Sequence, residues 1–231
     1  MKIKNVSIVV QARSTSTRFP RKIFEIIGTK QILQHVLDSC YNSASYINAM
    51  TNKHGIICGV ALAIPDGDEV KQSYARHRII EGSEHDVLAR YKKALDELKS
   101  DYVVRITSDC PFIPPYIISK MIQIAVSEEM DFLTNADPRF RTAPDGHDCE
   151  VMSRRAIEYA DKLATGVDRE HVTSVFCHSF PDTWRKGDVI GFVDLSEIKL
   201  SVDTKEDLDR LREQHRRLFN SIKKSPKTFR L

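Results

Sequence analysis

The sequence concentrates positive charge in residues 11–22, which read Q-A-R-S-T-S-T-R-F-P-R-K. Four cations occupy ten positions there, namely Arg13, Arg18, Arg21 and Lys22. The apolar run 6–10 precedes them, and its β-branched residues predict a buried strand that ends in a basic loop. Arginine forks and a lysine charge around free backbone N–H groups match the oxygens of a polyphosphate. We therefore predict that this basic loop binds a triphosphate.

The basic loop differs from the two commonest phosphate-binding motifs. It contains no glycine, so it has neither the G-x-x-x-x-G-K-[ST] pattern of the Walker A loop nor the G-x-G-x-x-G pattern of dinucleotide-binding folds. A solvated basic loop is the alternative interpretation of these cations by themselves. The position of the loop after a buried first strand favours the phosphate-binding interpretation, because ligands of open parallel sheets lie beyond the carboxyl ends of the strands.

An acidic residue follows a predicted strand at two further places. Asp109 comes after the segment 101–107, and Asp203 comes after the segment 196–202. Open α/β sheets place metal-binding carboxylates at such strand ends. Asp109 by itself is more typical of a turn-forming residue. The pattern alone therefore leaves both interpretations open.

The rest of the chain alternates short apolar runs with amphipathic helical patterns. Predicted strands cover 56–64, 78–80, 101–107, 131–135, 187–193 and 196–202. Predicted helices cover 30–41, 69–76, 84–99, 115–126 and 153–163, one more follows Asp168 and includes Val172 and Phe176, and a final helix begins after Thr204. Ser83 and Thr204 are predicted N-caps. This alternation indicates an α/β fold with a mainly parallel sheet.

Composition narrows the class of protein. The chain has 231 residues, of which 41% are hydrophobic, enough for a substantial core. The apolar run 56–64 is too short to cross a membrane and the N-terminus lacks a signal-peptide pattern, so we expect a cytoplasmic protein without a membrane span. The five cysteines show no C-x-x-C spacing, which argues against a zinc site and a disulfide framework.

Beyond the basic loop, five sequence blocks complete a family pattern. The loop resembles the opening loop of the cytidylyltransferases that activate acidic sugars, the CMP-sialate and CMP-Kdo synthetases, and is most similar to the spore-coat polysaccharide branch, which reads Q-A-R-x-x-S-T-R-x-P-x-K. The other blocks follow in family order: G-S-E-H-D-V-L-A-R-Y at 82–91, R-I-T-S-D-C-P at 105–111, P-D-G-H-D-C-E at 144–150, R-E-H-V-T at 169–173 and V-D-T-K-E-D-L at 202–208. Six ordered blocks are far more specific than one motif.

The resemblance implies a three-layer α/β/α fold of the nucleotide-diphospho-sugar transferase (glycosyltransferase-A) type. It implies a single nucleotidyltransferase domain over 1–231, in which 1–135 mainly bind the nucleotide, 136–190 form the acceptor and dimerisation segment, and 191–231 supply the last strand, a C-terminal helix and a basic tail. The implied activity is transfer of CMP from CTP to a small acidic acceptor, with release of pyrophosphate. Mg²⁺ as cofactor and a homodimer belong to the same expectation.

The family motifs also imply roles for individual residues. Arg13, Lys22 and Asp109 are expected to be catalytic, while Asp109 and Asp203 are expected to bind Mg²⁺. The residues expected to bind the nucleotide are Gln11, Ala12, Arg13, Ser16, Arg18, Lys22, Gly82, Ser83, Asp86, Thr107 and Asp109. Those expected to bind the acceptor are Asp145, Asp148, Glu150, Arg169 and His171. His147 completes a cluster with three of these acids, but without a cysteine or second histidine at ligand spacing a transition-metal site is disfavoured.

Three alternatives have different signatures. A glycosyltransferase of similar fold would need a D-x-D metal motif, which Asp66-Gly67-Asp68 matches formally, although a turn is the simpler interpretation. A cytidylyltransferase of this branch could use a phosphorylated or phosphonate acceptor instead of a sugar. A nucleic-acid-binding protein would use the basic tail 210–231, but no stacking aromatics accompany its cations, so we expect no nucleic-acid partner.

Overall fold

The computed structural model describes residues 3–224 and contains a seven-stranded central sheet. The strands of this sheet are β1 (Lys4–Gln11), β4 (Ile56–Pro65), β5 (Ile79–Gly82), β6 (Tyr102–Thr107), β7 (Phe132–Thr134), β8 (Glu150–Ser153) and β9 (Lys186–Asp188), and a small hairpin consists of β2 (Ile26–Ile27) and β3 (Lys30–Gln31). The order in the sheet is β5-β4-β1-β6-β8-β7-β9. Within the seven-stranded sheet, only the pairs that involve β8 are antiparallel, so the predicted mainly parallel α/β fold is confirmed.

Helices cover both faces of the sheet. They are α1 (Ile32–Ala49), α2 (Thr51–His54), α3 (Val70–Ser73), α4 (Val87–Glu97), α5 (Pro115–Ser127), α6 (Arg154–Leu163), α7 (Val167–His171), α8 (Val175–His178) and α9 (Lys205–Lys224). Side chains alternate across β1: Ile8 and Val10 join the core under α1 and α5, whereas Val9 joins the core under α4 and α6. Burial on both faces explains the continuous apolar pattern of this strand.

Two helical regions differ from the sequence prediction. Helix α1 continues to Ala49 because Ala44 and Ile47 extend its buried face. The single helix predicted after Asp168 is instead two short helices, α7 and α8, since Val172 has a φ of 63° and cannot continue a right-handed helix. Val172 is fully buried, which shows that tertiary packing holds this conformation.

The strands predicted near the C-terminus are also shorter than expected. The strand predicted over 187–193 is limited to β9, and the segment 196–202 is not a strand. It forms one isolated bridge, from Lys199 to Asp145, because its backbone partner is a turn rather than another strand. Gly146 permits this contact, since a Cβ on it would lie 2.6 Å from the nitrogen of Ser201.

A third, smaller core supports the end of this segment. Ile27, Ile32, Val202, Leu208 and Leu211 pack together and join the β2–β3 hairpin to α9. Residues 225–231 of the basic tail lie outside the described residues. In the part of the chain from 3 to 224, no helix has the length and apolar character that crossing a membrane requires.

Candidate active site

The basic loop begins where β1 ends and is closed at its base. The backbone N–H of Ala12 donates to the carbonyl of Ala63 at 3.1 Å, and the N–H of Arg21 donates to the carbonyl of Ser14 at 2.8 Å. Arg21 has a φ of 60°, in the left-handed region, and the short 3-10 helix Lys22–Phe24 follows it. The chain therefore returns to the sheet edge within one compact loop.

Two acids from neighbouring strand ends anchor this loop. Asp68 Oδ2 accepts hydrogen bonds from the N–H of Ser14 at 2.8 Å and from its hydroxyl at 3.1 Å, while Asp68 Oδ1 accepts the N–H of Val70 at 2.9 Å. Thr15 donates its hydroxyl to Glu84. Neither anchor was predicted from the sequence, in which Asp68 was interpreted only as part of a turn. The sequence feature that could have indicated them is an acidic residue after a neighbouring strand, combined with hydroxyl side chains in the basic loop.

Lys22 joins the two predicted metal-binding acids. Its buried ammonium donates to Asp109 Oδ2 at 2.7 Å and to the carbonyl of Val202 at 2.6 Å, and lies 3.6 Å from Asp203 Oδ1. Arg18 donates to the same oxygen of Asp203 at 2.9 Å. The pairing of Gln11 with Thr107 sets the ends of β1 and β6 side by side. The structure thus brings together cations and acids that are widely separated in sequence.

The ionisation of Asp109 follows from its surroundings. Burial opposes its ionisation, but the charge and hydrogen bond of Lys22, with a further hydrogen bond from Thr107, outweigh burial and lower the pKa of Asp109. A carboxylate stabilised in this way is ionised at neutral pH. Asp109 therefore offers a charged oxygen ligand at the end of β6.

Asp203 is positioned by residues on and before the last helix. Lys199 Nζ lies 3.1 Å from Asp203 Oδ2 and 2.7 Å from Asp207 Oδ2. Asp207 also accepts the backbone N–H groups of Asp203 and Thr204, at 3.0 and 3.1 Å, and Thr204 accepts the N–H of Asp207 at 3.3 Å. The predicted cap at Thr204 is confirmed. Lys199 was not expected from the sequence.

A cleft of about 150 Å³ opens between the basic loop and the two acids. It is lined by Gln11, Arg13, Ser16, Thr17, Arg18, Lys22, Ile23, Thr107, Ser108, Asp109 and Asp203. Nearly all of these side chains are polar or charged, and most were predicted to bind a nucleotide. Within residues 3–224, the Oε1 atom of Gln11 is buried without a hydrogen-bond partner.

The donor set at this cleft fits a hard divalent cation. Carboxylate oxygens of Asp109 and Asp203 converge on one point, which Lys22 contacts. Over residues 3–224, His, Cys, Asp and Glu side chains do not gather in threes or more into a metal-binding group. Two carboxylates suffice for Mg²⁺, which is commonly held by one or two protein carboxylates together with phosphate oxygens and water.

The block after β5 forms the next part of the site. Ser83 accepts the N–H of Asp86 at 3.1 Å, and Asp86 accepts the N–H of Ala89 at 2.9 Å. Asp86, not Ser83, is therefore the N-cap of α4, because the helix begins at Val87. Arg169 donates to Asp86 at 2.6 Å and to Asp161 at 2.8 Å. Arg169 thus lies beside the predicted nucleotide block, away from the acids at 145–150.

The other predicted acceptor residues have diverse surroundings. Asp145 accepts the hydroxyl of Ser201 at 3.0 Å, and Asp148 binds Arg141. Burial raises the pKa of Asp148 to about 6 in spite of Arg141. Glu150 is buried and pairs with Arg105 at 2.5 Å, so the arginine in β6 has a direct counter-ion. His171 is exposed on α7.

The sequence matches a known protein family over nearly its whole length. The sequence profile of the cytidylyltransferase family matches residues 7–225. The chain belongs to this family. It is thus a CTP-dependent nucleotidyltransferase.

Individual relatives agree with this assignment. The chain is 24% identical over 221 residues to the spore coat polysaccharide biosynthesis protein SpsF of Bacillus subtilis, a match that covers 91% of this chain and 86% of that protein. A solved cytidylyltransferase from Leptospira borgpetersenii superposes with a TM-score of 0.77 at 24% identity, covering 99% of each chain. CMP:2-keto-3-deoxy-manno-octonic acid synthetase, solved in complex with CTP, gives a TM-score of 0.65 at 16% identity, covering 93% of this chain and 99% of that one. These two structures establish the fold.

Proposed function

We propose that this cytidylyltransferase transfers CMP from CTP to an acidic sugar and releases pyrophosphate. One observation carries the proposal: Lys22, Asp109 and Asp203 converge at the carboxyl ends of β1 and β6, beneath a loop that presents Arg13 and Arg18. The nature of the acceptor is supported by the relatives, one of which acts in polysaccharide biosynthesis while another is a synthetase of CMP-2-keto-3-deoxy-manno-octonic acid.

The chemistry follows from the charges around the cleft. An oxygen of the acceptor attacks the α-phosphorus of CTP in line, the bond to the bridging oxygen breaks, and pyrophosphate leaves with the electron pair. Arg13, Arg18 and Lys22 would neutralise the charge that develops on the phosphate oxygens. An acceptor that presents an already ionised oxygen needs no general base.

Asp109 and Asp203 would hold a Mg²⁺ ion. Such an ion polarises phosphoryl oxygens and offsets their charge. In the structure, Lys22 and Arg18 compensate the charge of the two carboxylates. Phosphate oxygens would attract both cations and free the carboxylates, so nucleotide and metal are expected to bind together.

The homodimer remains part of the proposal and has a physical basis. Ile190, Phe192 and Val193 are highly exposed in the segment after β9, and large apolar side chains grouped at the surface favour association. Sedimentation of the protein before and after Phe192→Asp tests this. A shift from dimer to monomer supports the proposal, and a wild-type monomer at micromolar concentration contradicts it.

The activity is tested by pyrophosphate release with each of the four NTPs, across acidic sugars and phosphorylated or phosphonate compounds as acceptors. We expect release that requires CTP and an acidic sugar, and an effect of Asp109→Ala on the order of 100-fold or more. Asp38→Ala is the control, because Asp38 lies on α1 and contacts Lys30 and Gln34 rather than the residues of the cleft. Turnover of a phosphorylated acceptor instead would keep the cytidylyltransferase but change its substrate class.

A further inference from the structure

Arg90, on α4, is the most fully buried cation described in this protein. It is 1% exposed. Among the described residues, Nε and both terminal nitrogens of its guanidinium have no hydrogen-bond partner. A buried charge without acceptors is costly, and proteins rarely keep one without a reason. Burial lowers the pKa of Arg90, but an arginine stays charged in a protein.

The position of Arg90 connects it with the nucleotide site. A Cβ on Gly82 would lie 3.0 Å from Cγ of Arg90, so the side chain packs against the carboxyl end of β5. Gly82 pairs with Pro65 of β4. The charges of Arg13, Glu84 and Asp68 all act on Arg90. The guanidinium therefore lies at the same edge of the sheet as the basic loop.

The acids that could neutralise Arg90 are engaged elsewhere. Asp68 accepts from Ser14 and Val70, and Glu84 accepts from Thr15. Arg105, by contrast, is a similarly enclosed arginine that has a direct counter-ion. Among the described residues, the donors of Arg90 are thus unpaired, and its side chain packs against the carboxyl end of β5.

The order of the strands favours one direction for the nucleoside. If the phosphates lie between β1 and β6, the nucleoside extends either over β8 or over β4 and β5. On the β8 side, the backbone of Asp145 binds that of Ile198 and Leu200, at 2.9 and 2.6 Å, and this contact covers the sheet edge. The opposite side leads to Gly82 and Arg90.

We propose that Arg90 determines base specificity by donating two parallel hydrogen bonds to O2 and N3 of cytosine. This inference rests on the proposed function and deepens it. Cytosine presents two adjacent acceptors on that edge, which a guanidinium fork matches. Uracil presents a donor, N3–H, in place of the second acceptor and would meet a donor of Arg90. The same residue would therefore favour CTP over UTP.

Calorimetric titration with Mg²⁺ plus CTP, or plus 3-deaza-CTP, tests the inference without an acceptor, because the second compound carries C–H in place of N3. Wild-type protein should bind CTP about 10- to 100-fold more tightly than 3-deaza-CTP, the discrimination that a bidentate contact gives. In Arg90→Met the preference should fall to within about twofold. Arg78→Met is the matched control, since Arg78 precedes β5 at the surface and pairs with Glu97, and it should keep the wild-type preference.

Thermal unfolding separates recognition from a structural role. Without nucleotide, Arg90→Met should unfold at the wild-type temperature or above it, because the substitution removes an unpaired buried charge. If Arg90→Met does not fold, Arg90→Lys replaces it, and its single ammonium should still reduce the preference at least threefold. A preference unchanged in the folded variant overturns the inference. Failure of wild-type protein to bind CTP overturns the proposed function and this inference with it.

Discussion

The ammonium of Lys22 lies 2.7 Å from Asp109 Oδ2, and this contact ties the basic loop to the end of the central strand β6. Asp203 lies 3.6 Å from the same nitrogen. One cation therefore compensates both carboxylates that would hold a metal ion. If the proposed site holds nucleotide and metal, phosphate oxygens would compete for Lys22, and we expect this exchange to couple metal binding to nucleotide binding.

Lys22→Met is expected to strengthen the binding of Mg²⁺ in the absence of nucleotide, since it leaves two carboxylates without their shared cation. We expect at least a tenfold lower dissociation constant, which corresponds to about 1.4 kcal/mol, together with loss of turnover. Titration calorimetry with MgCl₂ measures the first effect. Lys30→Met, which removes a surface partner of Asp38, serves as control. Equal Mg²⁺ affinity in wild type and Lys22→Met would contradict the exchange.

Asp68→Ala is expected to weaken CTP binding about tenfold, because the N–H and hydroxyl of Ser14 lose their buried acceptor and an unsatisfied group costs about 1–3 kcal/mol. Titration with CTP measures the change. Asp66→Ala is the matched control, as Asp66 is exposed two residues earlier. A glycosyltransferase with a D-x-D metal site would need both acids, so equal losses in the two variants would favour that alternative.

The buried pair of Arg105 and Glu150 should show strong coupling in a double-mutant cycle. Either Arg105→Met or Glu150→Leu leaves an unpaired charge and should lower the free energy of unfolding by about 3–5 kcal/mol, whereas the double variant should recover most of the loss. Urea denaturation measures the three variants. The exposed pair of Arg78 and Glu97 is the control, with an expected coupling of about 0–1 kcal/mol.

The same cycle tests whether Glu150 also binds the acceptor. If the folded double variant retains the affinity for the acceptor, Glu150 stabilises the core and does not bind the acceptor. Coupling in the Arg105 cycle no larger than that of the surface pair would show that the ion pair does not form in solution.

Asp148 is expected to make stability depend on pH. Its pKa in the folded protein is raised to about 6 by burial, above the value of about 3.9 of an unfolded aspartate. Between these values the folded state keeps a proton that the unfolded state has released, so the free energy of unfolding falls as the pH rises through this window. The total loss is up to about 3 kcal/mol above pH 6.

Denaturation of wild type and Asp148→Asn from pH 4 to 8 measures this effect. The difference between the two proteins should change across the window from about 4 to 6 and remain constant above it. Asp182→Asn, a substitution at the surface, should follow the wild-type curve. A parallel course of wild type and Asp148→Asn would show that Asp148 ionises like an exposed aspartate.

The sequence by itself determined the parts of the site that depend on local pattern. A β-branched run followed by cations predicted the buried strand β1 and its loop, because alternation and burial are written into consecutive residues. Asp109 and Asp203 were recognised as acids at the ends of extended segments. The cap at Thr204 also belongs to this class, since a cap interacts with residues two or three positions away.

Only the tertiary structure decided which of these groups meet. Lys22 contacts an acid 87 residues away, Asp68 anchors the basic loop, and Glu150 neutralises Arg105. Among the described residues Arg90 has no hydrogen-bond partner, which the helix predicted over 84–99 with its cap at Ser83 did not indicate. These outcomes depend on the strand order β5-β4-β1-β6-β8-β7-β9, which brings distant strand ends to one edge. Local periodicity specifies each strand but carries no information about its neighbours, so packing alone assigns the partners.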